Sequence, residues 1–210
     1  MKGNHLEILA AEPSTEMFLH ALLPKLLGKA VSFNVYTHQC KDDLLKNLPS
    51  RLVGYANWLP DDWRVIVLAN QGNSDYNAIK RRIEKIITAA ELRSRKTATA
   101  STWQVASCIA REELESWYFG DWQAVRSVYT RVPEDIPRQP NYRNVDKISG
   151  PWKAFELILK RANYYKYGLN KIEIAKAIGA KIKPSRNKSQ NFQSFCEIIS
   201  EATGLKRKKD

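Results

Sequence analysis

Six side chains in this sequence have the types needed for acid–base or metal-assisted chemistry: Glu12, Glu16, Asp75, Glu113, Glu115 and Lys171. Magnesium and manganese take several hard oxygen ligands and let water fill the remaining positions. A two-metal attack on a phosphodiester needs carboxylates from at least two loops, to hold both ions and offset the charge of the transition state. Glu16, Asp75, Glu113 and Glu115 are the metal-ligand candidates. Lys171, or Lys166, is the cation that could stabilise developing charge on a phosphoryl oxygen. Each also has a plainer role. Glu12 and Glu16 sit where a helix N-terminus favours acids by about 0.3–1 kcal/mol each. In Glu112-Glu113-Leu114-Glu115-Ser116-Trp117 the spacing puts Glu112 and Glu115 on one helical face, and a solvated helix start with Trp117 in the core accounts for it equally well.

The elements that must position these residues alternate in type. His5 to Ala10 is a short apolar strand, Val31 to Tyr36 alternates apolar and polar residues, Arg64 to Ala69 is a continuous apolar run, and Trp103 to Ala110 is a fourth strand. Between them Pro13-Ser14-Thr15-Glu16 opens a helix, with Ser14 and Thr15 as capping candidates. Lys41 to Trp58 predicts a helix interrupted near Pro49, and Asn77 to Leu92 an amphipathic helix with Ile79, Ile83, Ile86 and Ile87 inward. This β-α-β-α-β-α-β order predicts an α/β fold: a Rossmann-type parallel sheet flanked by helices, whose carboxyl edge is where ligands bind. A mostly helical C-terminal region follows. It has a helix over Asp121 to Tyr129, a proline-containing loop over Arg131 to Gly150, and helices over Pro151 to Arg161, Leu169 to Ile178 and Gln190 to Ala202. Leu157 and Ile172 are expected in its core stripes. The organisation expected is an α/β core over 4–118, a helical region packed on it over 119–204, and a basic tail over 205–210.

The turns at the strand ends carry a resemblance. Leu9-Ala10-Ala11-Glu12-Pro13-Ser14-Thr15-Glu16, the run Val65 to Arg82, Ile109 to Asp121 with its Glu113-Leu114-Glu115-Ser116-Trp117 core, and Asn187 to Phe195 resemble, in order, a Toprim-related bacterial family of unknown function. Members of that family are often encoded beside AAA- or ABC-type ATPases and are similar in fold to OLD-type nucleases. The family writes its first turn V-E-E-P-S-T-E or V-E-G-x-T-E and its second V-D-x-D-x-D-D. The resemblance places the leading Toprim glutamate at Ala11 and further acids at Asn70, Gly72, Asn73 and Ser74, so most of the site's charge is replaced while Glu12, Glu16 and Asp75 remain. It also implies that Glu113 and Glu115 complete the acidic site. An Asn187 to Phe195 stretch is similar to the family's N-x-S-x-S-F; capping by Ser189 with Phe192 and Phe195 in the core explains it on structure alone.

The overall balance is basic, 34 Lys and Arg against 22 Asp and Glu, a net +12, which favours anionic partners. Lys80, Arg81, Arg82, Lys85, Arg93, Arg95 and Lys96 cluster on and after the third core helix, and Lys166 lies among Tyr164, Tyr165 and Tyr167, which could stack on unpaired bases. From Lys147 onward there are 15 Lys and Arg against 5 Asp and Glu. Such a surface tracks a phosphate backbone without reading its sequence. Three isolated cysteines and three scattered histidines exclude a disulfide framework, a zinc site and histidine metal chemistry. No signal-peptide pattern and no membrane-spanning apolar run is present, so a cytoplasmic protein without membrane contact is expected. No phosphate-binding glycine loop is found either, so any ATP chemistry belongs to a partner. The leading expectation is a degenerate Toprim-like component of a bacterial defence or mobile-element system. It would bind nucleic acid (DNA foremost) or a partner ATPase, with no cofactor or weakly held Mg or Mn, and with little or no nuclease activity. The alternatives are an active Mg- or Mn-dependent nuclease using the remaining carboxylates, and a pure protein-interaction subunit.

Overall fold

A computed structural model describes residues 3–98, 102–165 and 168–205. The core is the expected α/β arrangement. Strands β1 (His5–Ala10), β2 (Ser32–Thr37), β3 (Trp63–Asn70) and β4 (Val105–Ala110) form one all-parallel sheet in the order β2-β1-β3-β4. Helices α1 (Pro13–Leu27), α2 (Lys41–Trp58) and α3 (Tyr76–Ala89) make the crossovers. The two-residue period of the strands sorts side chains onto two faces. Leu6, Ile8, Ala10, Ile66, Leu68, Ala106 and Ala110 pack with α1 on one face, while Leu9, Ala11, Val65, Val67, Ala69 and Ile109 pack with α2 and α3 on the other. Both faces are covered, which is why β3 shows continuous apolarity rather than alternation.

The helical region adds α4 (Ser116–Gly120), α5 (Trp122–Val128), α6 (Pro151–Arg161), α7 (Lys171–Gly179) and α8 (Gln190–Thr203), with two 3-10 turns at Ile136–Arg138 and Val145–Lys147 inside the proline-containing loop. All of it lies on the α1 face, where Trp117, Tyr118, Phe155, Ile174, Ile178, Phe192 and Phe195 share one core with Phe18, Leu19 and Leu22. The tightest docking is α7 on α1. A Cβ on Gly179 would lie 2.7 Å from Phe18 O and 3.2 Å from Phe18 Cα, so only glycine permits the approach. Lys25, on the last turn of α1, donates to Gly179 O at 2.7 Å and to Ile182 O at 3.0 Å, satisfying carbonyls that α7 leaves open at its C-terminus.

Several local expectations are corrected. Helix α2 runs unbroken through Pro49, which sits on its solvent face, where water can satisfy the carbonyl it frees. Ser14 and Thr15 are buried inside α1 rather than capping it, and Glu12 is the N-cap residue. The stretch Arg111 to Glu115 is a turn, so Glu112 and Glu115 share no helical face. Glu112 adopts a left-handed conformation (φ 55°), and its carbonyl accepts from Gly72 N at 2.6 Å, which holds the chain out of helix until Ser116. Leu157 and Ile172 are exposed, at 45% and 43%, rather than core. By contrast Ser189 does cap α8, accepting from Phe192 N at 3.0 Å, and Phe192 and Phe195 are fully buried. Asn191 explains its own position: Nδ2 donates to Ile109 O at 2.7 Å, while Oδ1 accepts from Trp117 Nε1 at 2.8 Å, tying α8 to the end of β4. The basic run Lys206 to Lys209 lies outside the described residues. No described helix is long and apolar enough to cross a membrane.

Gly179→Ala forces α1 and α7 apart at a backbone contact. It should lower the free energy of unfolding by about 1–3 kcal/mol, measured by urea denaturation, whereas an alanine at Gly54 of α2, with open space around its Cβ position, should cost nothing.

Candidate functional site

At the carboxyl edge of the sheet the chain gathers a cluster of charged side chains around the fully buried Glu115. β1 ends at Ala10, and the strand alternation then decides which side chain faces which layer. Ala11 is 1% exposed in the apolar layer with Leu9 and Ala69, and Glu12 turns to the α1 face. A glutamate at position 11 would thus point into the α2 and α3 core. The acid that the resemblance expects at position 11 would not have stood at the edge, where Glu12 stands instead. Glu12 Oε2 pairs with Lys171 Nζ at 2.9 Å, and Oε1 accepts from Asn70 Nδ2 at 2.8 Å. The carboxylate fixes the Asn70 amide orientation, since its oxygen would be repelled there.

Lys171, the first residue of α7, reaches a second carboxylate, Glu115 Oε1, at 3.2 Å. Glu115 is fully buried, and neither of its oxygens accepts a well-aligned hydrogen bond among the described residues. Burial pushes its carboxyl up to about 7; Lys171 opposes the rise, and the nearby charges of Glu113 and Glu12 add to it. Burial alone would lower Lys171, but the carboxylates of Glu115 and Glu12 outweigh it and hold the ammonium above its ordinary value. The Trp152 indole lies 5.3 Å from Lys171 Nζ, and the Trp152 backbone N–H donates to Glu113 Oε2 at 2.8 Å. Tyr118 is buried with its hydroxyl unpartnered among the described residues; burial raises it well above the ordinary phenol range, reinforced by the charges of Glu115 and Tyr129 and then Glu12.

Four of the six expected residues therefore converge: Glu12, Glu113, Glu115 and Lys171. The other two do not. Glu16 faces the β2 side, accepting from Thr37 Oγ1 at 3.1 Å with His20 Nε2 at 3.8 Å. Asp75 caps α3, accepting from Ala78 N at 2.6 Å, and sits 3.9 Å from Arg81. Among the described residues no three of His, Cys, Asp and Glu are grouped to hold one metal ion. The donor chemistry agrees, because the oxygens of Glu12 are met by an amide N–H and an ammonium. At Gly72 (φ 53°) a Cβ would lie 3.9 Å from Lys41 Nζ, and Lys41 donates to Gln71 O at 3.0 Å and to Ser74 Oγ at 2.5 Å. The second turn is thus held by a lysine where the resemblance expects acids. Tyr118 was within reach of sequence reasoning, as three residues past Glu115 is helical spacing. Trp152 left no local signal, since 39 residues separate it from Glu113.

The basic residues divide. Arg81, Arg82, Lys85, Arg93 and Lys96 are exposed, and Lys80 is half-buried. Arg95 is spent on a bidentate pair with Glu201 at 2.6 and 2.7 Å. Tyr164 and Tyr165 turn inward rather than offering stacking faces. Arg131 covers the Tyr164 ring at 4.1 Å, and the Tyr165 hydroxyl meets that of Tyr129 at 2.9 Å. Lys166 and Tyr167 lie outside the described residues.

A family described as a domain of unknown function, DUF4276, matches residues 12–200. The chain belongs to this family. No curated protein and no solved structure matches it. The matched DUF4276 region begins at Glu12, the first residue of the buried charge cluster, and includes every residue of that cluster.

Glu115 gives the site a pH signature. Its proton is held more tightly in the folded than in the unfolded chain. The stability it contributes is present below about pH 4.5 and is lost as pH rises towards 7. Glu115→Gln removes this dependence. Relative to the parent, the variant should gain about 2–3 kcal/mol between pH 5 and pH 8 in urea unfolding, and a constant difference across that range would count against the assignment.

Proposed function

We propose that this DUF4276 chain is a degenerate Toprim-like protein that binds the backbone of nucleic acid, DNA foremost, through the exposed face of α3, with little or no nuclease activity of its own. The observation that carries the reading is the Lys171 ammonium between Glu12 and Glu115, with the Asn70 amide donating to Glu12. A divalent cation would need those positions to hold acceptors, and Mg or Mn chemistry fits this donor set poorly. Arg81, Arg82 and Lys85 supply the phosphate contacts, and Ile79, Ile83 and Ile87 hold the opposite side of α3 on the sheet. The Toprim-like resemblance adds the wider setting, a bacterial defence or mobile-element system in which a partner ATPase supplies nucleotide hydrolysis.

The alternative of an active Mg- or Mn-dependent nuclease draws on one observation, the convergence of Glu12 and Glu115 with Glu113 alongside. Two measurements separate the readings. Binding to duplex DNA, followed by fluorescence anisotropy, should fall steeply between about 50 and 200 mM salt, and Arg81→Gln with Arg82→Gln should weaken it and flatten that dependence. Plasmid and single-stranded DNA should stay intact with Mg or Mn. Metal-dependent cleavage lost in Glu12→Gln would establish the nuclease instead, and no binding at low salt would remove the nucleic-acid reading.

The role of Asn70 can be tested in the opposite direction. Asn70→Asp turns a donor into a carboxylate 2.8 Å from Glu12 Oε1. Like charges at that distance should cost about 1–3 kcal/mol without metal, and millimolar Mn should restore part of the loss. The parent should show no such stabilisation in thermal melts.

A further inference from the structure

The structure places two groups of basic residues on helices at opposite faces of the sheet. The first lies on the outer face of α3, which packs on the Val65, Val67 and Ile109 side of the sheet. The second lies at the C-terminal end of α7 and in the connection to α8. From Ile174 to Cys196 the chain carries Lys176, Lys181, Lys183, Arg186 and Lys188 and no Asp or Glu. Lys176, Lys181, Lys183 and Lys188 are exposed, and Arg186 is tied to the buried Asp121 at 2.9 Å.

Lys181, Lys183 and Arg186 crowd together around Lys25. Burial lowers Lys25 first; Asp121 opposes the shift, while Lys181, Arg186 and Lys183 deepen it. Like charges gathered around a single buried acid repel, and that repulsion is relieved when a polyanion is present. None of the large exposed hydrophobic residues, Tyr36, Val53, Trp58, Leu157 and Ile172, falls within this stretch. A protein partner would look for an apolar centre with a polar rim, whereas a phosphate backbone needs only the charge.

The layers set the distance between the two surfaces. Helix α3 packs on one face of the sheet, and α1, with α7 packed against it at Gly179, lies on the other. At about 10 Å per layer the helices that carry the two basic faces are about 20 Å apart across the sheet. We propose that the 176–188 surface is a second, independent binding site for a nucleic-acid backbone, so that one copy of the chain bridges two duplex segments. This rests on the reading that the α3 face takes nucleic acid.

The test is a capture assay with the full chain. A biotinylated duplex on beads is mixed with a fluorescent duplex at low salt, and the fluorescence retained on the beads is measured with and without protein. The parent chain should capture the second duplex. Lys176→Glu, Lys181→Glu and Lys188→Glu together should still bind a single duplex by anisotropy, but should retain about tenfold less of the second. The same positions changed to Gln should move the result in the same direction by less, and thermal melts confirm that both variants fold. Duplex binding by the parent without capture would overturn the bridging proposal and leave the α3 reading standing. Capture by the Glu variant equal to the parent's would also overturn it, because bridging would then come from two copies each holding one duplex. If the parent binds no duplex at all, the reading beneath the proposal fails as well.

Discussion

The carboxylate of Glu115, fully buried at the end of β4, is the constraint around which the functional edge is organised. A lone carboxylate in that position is expensive, and it must either keep its proton or find a cation. The cation comes from far along the chain, because Lys171 opens α7 and α7 lies on α1. That docking depends on Gly179 crossing against the Phe18 backbone and on Lys25 closing the carbonyls beyond it. At the other end Asn170 accepts from Ile172 N and Glu173 N, fixing where α7 begins and hence where the ammonium sits. The helical region is therefore part of the edge's electrostatics. An ion pair of this kind costs much of what it returns, since both partners give up water. Its effect is to join the last third of the chain to the end of the sheet.

How much of this was legible in the sequence differs by the range of the forces involved. The four strands and the helices around them follow from local periodicity, and their ends shift by only one to three residues, as at Val105 for β4 and Tyr76 for α3. Position-by-position reading of the first turn was less secure. Ala11 and Glu12 are neighbours, yet the two-residue period sends one into the α2 layer and the other to the edge, and a slip of one residue reverses which of them matters. Glu113 and Glu115 were visible as types. Their true setting was not, because the left-handed Glu112 and its bond from Gly72 turn the chain before the helix begins, and that contact joins two separate loops. Glu16 and Asp75 were misgrouped for the same reason. Their partners, Thr37 and the start of α3, are set by the packing of neighbouring elements.

Charge links the edge to the surface. Several acids are answered by cations of the same chain: Glu12 and Glu115 by Lys171, Asp121 by Arg186, and the exposed Glu201 by Arg95. Glu7 is held below the usual carboxylate range: burial would raise it, but the hydrogen bonds from Tyr55, Asn34 and His5 outweigh that effect. Acids compensated in this way contribute little to the field outside the molecule, while Arg81, Arg82, Lys85, Lys96, Lys181 and Lys188 project into solvent. The net +12 is thus expressed at the surface rather than at the edge.

That separation changes what the edge has to do. In a metal-dependent phosphodiesterase the strand ends supply acceptors, and the cation they hold carries the binding of phosphate. Here the strand ends are neutralised by the protein's own amide and ammonium, so a phosphate brought to them would meet Glu12 and Glu115 without an intervening positive ion to spare. The helix dipole at the start of α1 adds little for a phosphate, because the Glu12 carboxylate already stands at its N-cap position and the first helical residue is Pro13, which has no N–H. In the proposed reading, anion binding is displaced outward, to exposed side chains such as Arg82, Lys85, Lys181 and Lys188. A nucleic-acid backbone bound there, as proposed, would be held by charge and geometry, independent of base sequence and sensitive to salt.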